Sequence, residues 1–194
     1  MKRNVIALVA AALFAPPSLC LANELSYDFI QLSLAYTSFQ DAPSPTRGFD
    51  LDLKKSMNER AFFYGAFGTG SVSTVFGGVE VADLLVGAGF GVGYHRPVYK
   101  KIDLVSTVEI YQIDIQPGAL PVSLNAFSLG AGLRGKINKK AEGNLFASYA
   151  KVREVFTYSL DLQLDYPLNR RLLVSGGIDL LNLRAFSVGL RSNF

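Results

Sequence analysis

RAFSVGLRSNF, residues Arg184 to Phe194, is the stretch on which the reading of the fold turns. Phe186, Val188 and Leu190 fall at every second position, and Phe194 ends the chain. Between them stand Ala185, Ser187, Gly189 and Arg191, all small or polar. A period of two is the side-chain period of an extended strand, so this segment predicts a strand with one apolar face and one small or polar face.

Working back from that segment, the same alternation recurs often enough to predict ten strands. Tyr27 to Phe39 sets Ile30, Leu32, Leu34 and Tyr36 against Gln31, Ser33, Ala35 and Thr37. Gly48 to Lys54 alternates Phe49, Leu51 and Leu53 with Asp50, Asp52 and Lys54. In Ala61 to Ser71 the register stays open, because Phe62, Phe63, Tyr64 and Phe67 occupy both faces. Asp83 to His95 is the clearest case: Leu84, Val86, Ala88, Phe90, Val92 and Tyr94 oppose Gly87, Gly89, Gly91 and Gly93. Four glycines on one face weaken a strand unless the backbone curves or a neighbour needs the space.

Ile102 to Asp114, Leu124 to Lys136, Glu142 to Val152, Thr157 to Tyr166 and Leu172 to Leu180 complete the set. Three longer connections are expected at Gln40 to Arg47, Val72 to Ala82 and Gln116 to Ser123. No helical period and no linker interrupts the pattern, so residues 23–194 are expected to form one all-β domain.

The opposite end carries an export signal. Lys2 and Arg3 precede an apolar run from Val5 to Ala15, then Pro16 and Pro17, then Cys20-Leu21-Ala22. A basic start, a short apolar stretch and small residues before the cut predict a signal peptide over residues 1–22, cleaved after Ala22. The run is shorter than the roughly 20 residues that a transmembrane helix needs. Leu19, directly before the lone cysteine, argues against lipid attachment at Cys20. The remaining chain has no cysteine, so no disulfide is available to it after export.

The formal charge of +3 includes Lys2 and Arg3 and falls to +1 without them, so the basic balance does not argue for a nucleic-acid partner. Hydrophobic residues make up 49 % of the chain, yet no later segment could span a membrane as a helix. An exported, apolar chain without helical spans points to a closed transmembrane barrel, because hydrocarbon tolerates no unpaired strand edge. The expected fold is an antiparallel up-and-down β-barrel of ten strands, with eight as the alternative.

Basic residues sort to one side. Lys54, Lys55, Arg60, Arg96, Lys100, Lys101, Lys136, Lys139, Lys140, Arg170 and Arg171 all fall at alternate connections. With an even strand count these mark the rim that carries both termini, facing the periplasm and an anionic lipid leaflet.

The segments Leu25 to Thr37, Gly91 to Asp114 (GVGYHRPVYKKIDLVSTVEIYQID), Leu129 to Ile137 and the ending FSVGLRSNF resemble a proteobacterial family of small porin-like outer-membrane β-barrel proteins. The final strand resembles the closing strand of such barrels, whose terminal aromatic is read by the barrel assembly machinery. Phe186, Val188, Leu190 and Phe194 match that signal, whereas Ser192 departs from the large apolar residue of the pattern. The resemblance implies residence in the bacterial outer membrane, with outer-membrane lipids and the assembly machinery as partners, and a monomer. It implies no enzymatic activity and no cofactor.

The residues themselves supply little chemistry. Gly130 to Gly135 fits GxGxxG, but its glycines alternate within a strand and no helix follows, so it is not a dinucleotide site. His95 is the sole histidine, which excludes a multi-histidine metal centre, and it is expected as a polar residue at the periplasmic rim. The informative set is luminal: Glu109, Arg134, Asp161, Asp179 and Arg191 are expected to project inward at comparable depths and to pair, with Tyr111 near the glycine row. Lone charges in a narrow barrel would be costly. A structural, envelope-associated barrel without catalysis is the expected function. A narrow channel for small solutes and surface recognition through the outer loops are the alternatives.

Overall fold

A computed structural model describes residues 25–38, 45–76, 79–116, 122–138, 140–181 and 184–194. The expected signal peptide lies outside them. Ten strands follow in chain order: β1 Phe29–Ser38, β2 Thr46–Ser56, β3 Ala61–Phe76, β4 Val79–Tyr99 and β5 Ile102–Gln116 form the first half. The second half is β6 Val122–Lys136, β7 Glu142–Val152, β8 Val155–Pro167, β9 Leu172–Asp179 and β10 Arg184–Asn193. Each pairs antiparallel with its sequence neighbours, and β1 pairs with β10 to close the barrel. Ten strands is the observed count, and the eight-stranded alternative is set aside.

Closure gives every strand a partner on both sides, and the alternating faces decide what each side meets. Outward side chains are apolar and exposed: Leu34 is 71 % exposed, Phe90 66 % and Val188 58 %. Inward positions on the same strands are buried polar groups such as Gln31, Ser33 and Arg191. That is the inverse of a soluble sandwich and the arrangement suited to hydrocarbon. Aromatic pairs band the outside towards the end away from the termini: Tyr36 stacks on Phe186 with centroids 4.8 Å apart, and Tyr149 lies 5.4 Å from Tyr158. Near the terminal end the exposed aromatics are Phe63, Tyr99, Tyr166 and Phe194.

The open register of the third segment is decided by its neighbour. Tyr64 pairs with Gly91 and Phe62 with Gly93, so both rings lie over glycines on β4, while Phe63 and Phe67 face outward. A Cβ at Gly91 or Gly93 would meet those rings, and the glycine row therefore exists to admit them. Tyr111 contributes less than expected: its Cβ sits beside Gly89 alone. Phe146 plays the same part for Gly130 and Gly132 on β6.

Two expectations about connections are corrected. Val72 to Ala82 is not a loop: β3 runs to Phe76 and β4 starts at Val79, so a long hairpin extends past the neighbouring strands. The valines there favour strand, and their register simply continues. Lys54 is not a rim residue either; its ammonium lies inside the barrel, 5.3 Å from the Phe29 ring and 5.6 Å from that of Phe62. Lys139 lies outside the described residues.

Three turns at the terminal end share one construction. In Met57-Asn58-Glu59-Arg60, Ile137-Asn138-Lys139-Lys140 and Leu168-Asn169-Arg170-Arg171, an apolar residue precedes asparagine and a base follows two later. Asn58 Oδ1 accepts from the backbone N–H groups of Arg60 and Ala61, both at 2.9 Å. Asn138 does so for Lys140 and Ala141 at 2.7 and 2.8 Å, and Asn169 for Arg171 and Leu172, both at 2.9 Å. The side chain stands in for a backbone acceptor, which is why asparagine recurs there.

Candidate functional site

The lumen is divided by depth, because the strands are tilted. A ladder followed from Phe29 passes through Lys54, Tyr64, Gly91, Glu109, Ser128, Ala150 and Thr157. It starts beside the termini and finishes next to the β7–β8 turn at the far rim, as barrel closure with shear requires. Residues on neighbouring strands therefore differ in height, and the five expected charges do not share one depth.

Arg134 and Arg191 sit at the terminal end, within a plug. Tyr27, just before β1, turns its ring inward, where it stacks on His95 with centroids 3.9 Å apart and on Phe62 at 5.0 Å. Its hydroxyl donates to Asp103 Oδ2 at 3.0 Å, and Asp103 is fully buried. Burial pushes the Tyr27 phenol well above its usual range, so it stays protonated and remains that donor. His95 Nδ1 lies 3.2 Å from the same carboxylate oxygen, an ion-pair distance without hydrogen-bond alignment. The sole histidine is thus folded into the plug rather than spread along the rim.

The two arginines complete it. Arg134 lies 4.7 Å from the Tyr27 ring centroid and donates to the Ser26 carbonyl at 2.8 Å and to Glu142 Oε2 at 2.9 Å. Arg191, only 1 % exposed, donates to Asp165 Oδ2 at 2.7 Å and reaches Glu142 Oε2 at 3.4 Å, with the Phe29 ring 4.2 Å away. Their partners, Glu142 and Asp165, were not among the expected set. Both were legible as inward positions at strand ends once the terminal rim was placed.

Glu109 lies higher, on the wall of a cavity of about 510 Å³. Asp50, Asp52, Tyr64, Tyr111, Ser128 and Ser148 line the same space, which extends to Ala150 and Thr157. Asp161 and Asp179 face each other across β8 and β9, two acids side by side rather than a pair of opposite sign. They are served locally: Asp161 accepts from Ser159 Oγ at 2.8 Å, and Asp179 accepts from the backbone N–H groups of Leu181 at 3.1 Å and Leu160 at 3.3 Å. The five charges accordingly fall into a plug pair, a cavity acid and an acid pair.

The closing strand presents Phe186, Val188 and Leu190 outward beside Tyr36, Leu34 and Leu32 of β1. Phe194 is 60 % exposed at this seam; its backbone N–H donates to the Asp28 carbonyl at 3.2 Å, and Lys55 Nζ stands 5.1 Å from its ring.

No protein-family model matches the chain, and no curated protein matches it in sequence. Solved structures do. The NanC porin is 8 % identical with a TM-score of 0.52, over 85 % of this chain and 100 % of that one. The β domain of the Bordetella autotransporter BrkA is 9 % identical with a TM-score of 0.52, over 86 % of this chain and 98 % of that one. The translocator domain of the autotransporter NalP from Neisseria meningitidis is 10 % identical with a TM-score of 0.50, over 100 % of this chain and 95 % of that one. At such identities the likeness speaks for the fold. The fold is that of bacterial outer-membrane barrels, and the outer belt is made for hydrocarbon; the outer-membrane localisation expected from the sequence agrees with both.

Proposed function

We propose that this protein is a non-conducting outer-membrane barrel with a structural, envelope-associated role and no catalysis. The observation that carries this reading is the plug: Tyr27, Phe62, Asp103, Arg134 and Arg191 fill the terminal end of the lumen, each less than a tenth exposed. In the plug the arginines are matched by carboxylates, so the charges close the barrel instead of lining a water path. The one histidine is engaged there too. Outer-membrane lipids meet the apolar belt, the exposed Phe194 with its strand serves the assembly machinery, and the barrel works as a monomer.

Purified protein in planar bilayers tests the reading against the narrow-channel alternative. No discrete openings are expected from the native chain, and openings are expected once Tyr27→Ala and Phe62→Ala are combined. Discrete openings from the unaltered protein would overturn the proposal. Surface recognition is the second reading, supported by the length of the β3–β4 hairpin. Exchanging residues 40–47 and 72–82 would abolish cell binding if that reading holds and leave it unchanged if it does not.

A further inference from the structure

We propose that the outward wall of the β7–β8 hairpin, at the rim away from the termini, binds the head of a bisphosphorylated glycolipid in the outer leaflet. The inference rests on the membrane reading above. Lys151 carries it. On β7 this residue falls on the outward face, in register with Phe127 of β6 on one side and Phe156 of β8 on the other. Its side chain is exposed, and the ammonium stands 5.4 Å from the Phe156 ring. A base on the lipid face is unfavourable within hydrocarbon and is tolerated at the edge, where its long stem reaches the headgroups. The height fits: Phe156 lies six residues from Leu162 in the middle of β8. At ordinary strand rise and tilt that is about 15 Å along the barrel axis. Half of the apolar band is roughly 12 Å, so Lys151 stands just past the hydrocarbon, level with lipid phosphates.

The tip above it adds a second base in a strained backbone. Val152 pairs with Val155, so the hairpin turns on Arg153 and Glu154. Arg153 has a φ of 53° and is the one non-glycine residue with positive φ among the described residues. Glycine or asparagine would adopt that conformation at lower cost, yet the chain places an exposed guanidinium there. Among the described residues neither Lys151 nor Arg153 has a carboxylate oxygen within 4.0 Å, Glu154 included. Below them the rings of Tyr149, Phe156 and Tyr158 form one outward platform, with Tyr149 5.8 Å from Phe156 and 5.4 Å from Tyr158. Two unpaired bases above an aromatic platform complement a lipid whose phosphates sit directly over its acyl chains. Arginine and lysine both favour phosphate, and anionic headgroups draw such bases to the surface.

The probe is hexa-acylated lipid A carrying two phosphates, titrated into the folded full chain in an uncharged detergent and read by native mass spectrometry. The same lipid stripped of both phosphates, and phosphatidylglycerol, are the comparators. Saturable retention of the bisphosphorylated lipid is expected, with both comparators at least tenfold weaker. Lys151→Met combined with Arg153→Asn should weaken retention at least tenfold. The urea midpoint and heat-modifiable migration of that variant should match the native chain, because asparagine accepts the left-handed backbone. Arg47→Met, which removes an exposed outward base on the opposite wall, should change retention less than twofold, as should Lys55→Met at the terminal rim. Equal retention of either comparator, native affinity in the double variant, or an equal loss in Lys55→Met would each overturn the proposal. Absence of heat-modifiable migration in the native chain would instead remove the membrane reading, and this inference with it.

Discussion

Leu162→Arg is expected to destabilise the folded barrel by ~2–4 kcal/mol, the range for a base on the lipid face near the midplane. Leu162 lies in the middle of β8, faces outward, and is flanked by Leu145 on β7 and Ile178 on β9. An arginine there would stand between the outward apolar side chains of Leu145 and Ile178. The neighbouring substitution, Gln163→Arg, introduces the same charge on the other face. Gln163 already donates to Asp165 Oδ1 at 2.8 Å and to Gln31 Oε1 at 3.3 Å, so a guanidinium finds acceptors. Its effect should be clearly smaller. Urea unfolding from lipid vesicles measures both, with the shift of heat-modifiable migration as a second readout. Equal tolerance at the two positions would mean that the greasy faces do not meet lipid, and the membrane reading would fail with them.

The same pair of residues shows what could be read from the chain before its fold was known. Which face of β8 is apolar follows from Leu160, Leu162 and Leu164 alternating with Asp161, Gln163 and Asp165, and the period is local. The direction of that face required the whole barrel. Depth was not legible at all. Alternation fixes parity within a strand, whereas height depends on tilt and on pairing across strands, and this misplaced Glu109, Asp161 and Asp179 beside the arginines. The third strand shows the same boundary: Phe62, Phe63, Tyr64 and Phe67 leave its register open until Tyr64 is set against Gly91. Tyr27 was missed for another reason, since it precedes β1 and turns inward outside any ladder. The turn motif of an apolar residue, asparagine and a later base was visible as a threefold repeat and could have fixed three hairpins in advance.

Arg191→Met should be the most damaging change inside the lumen, at roughly 3–5 kcal/mol for a broken buried pair. The loss falls chiefly on Asp165, whose oxygen is 2.7 Å from the guanidinium and which, only 3 % exposed, would lose its cationic partner. Glu142 suffers less because Arg134 still reaches it at 2.9 Å. If the damage comes from the stranded carboxylate rather than from lost volume, Arg191→Met combined with Asp165→Leu should regain most of the stability. The contrast is Lys55→Met at the same end. Lys55 pairs with Asp28 at 3.3 Å but is largely exposed, and the Ser56 backbone N–H holds the Asp28 carboxylate first, at 2.6 Å, keeping it below the usual carboxylate range. An exposed pair of this kind is worth about 1 kcal/mol or less. Urea midpoints in one detergent place the three variants on one scale. Were Arg191→Met to lose no more than Lys55→Met, the plug would not depend on paired charge, and the closed terminal end would have to be held by the Tyr27, Phe62 and His95 stack alone.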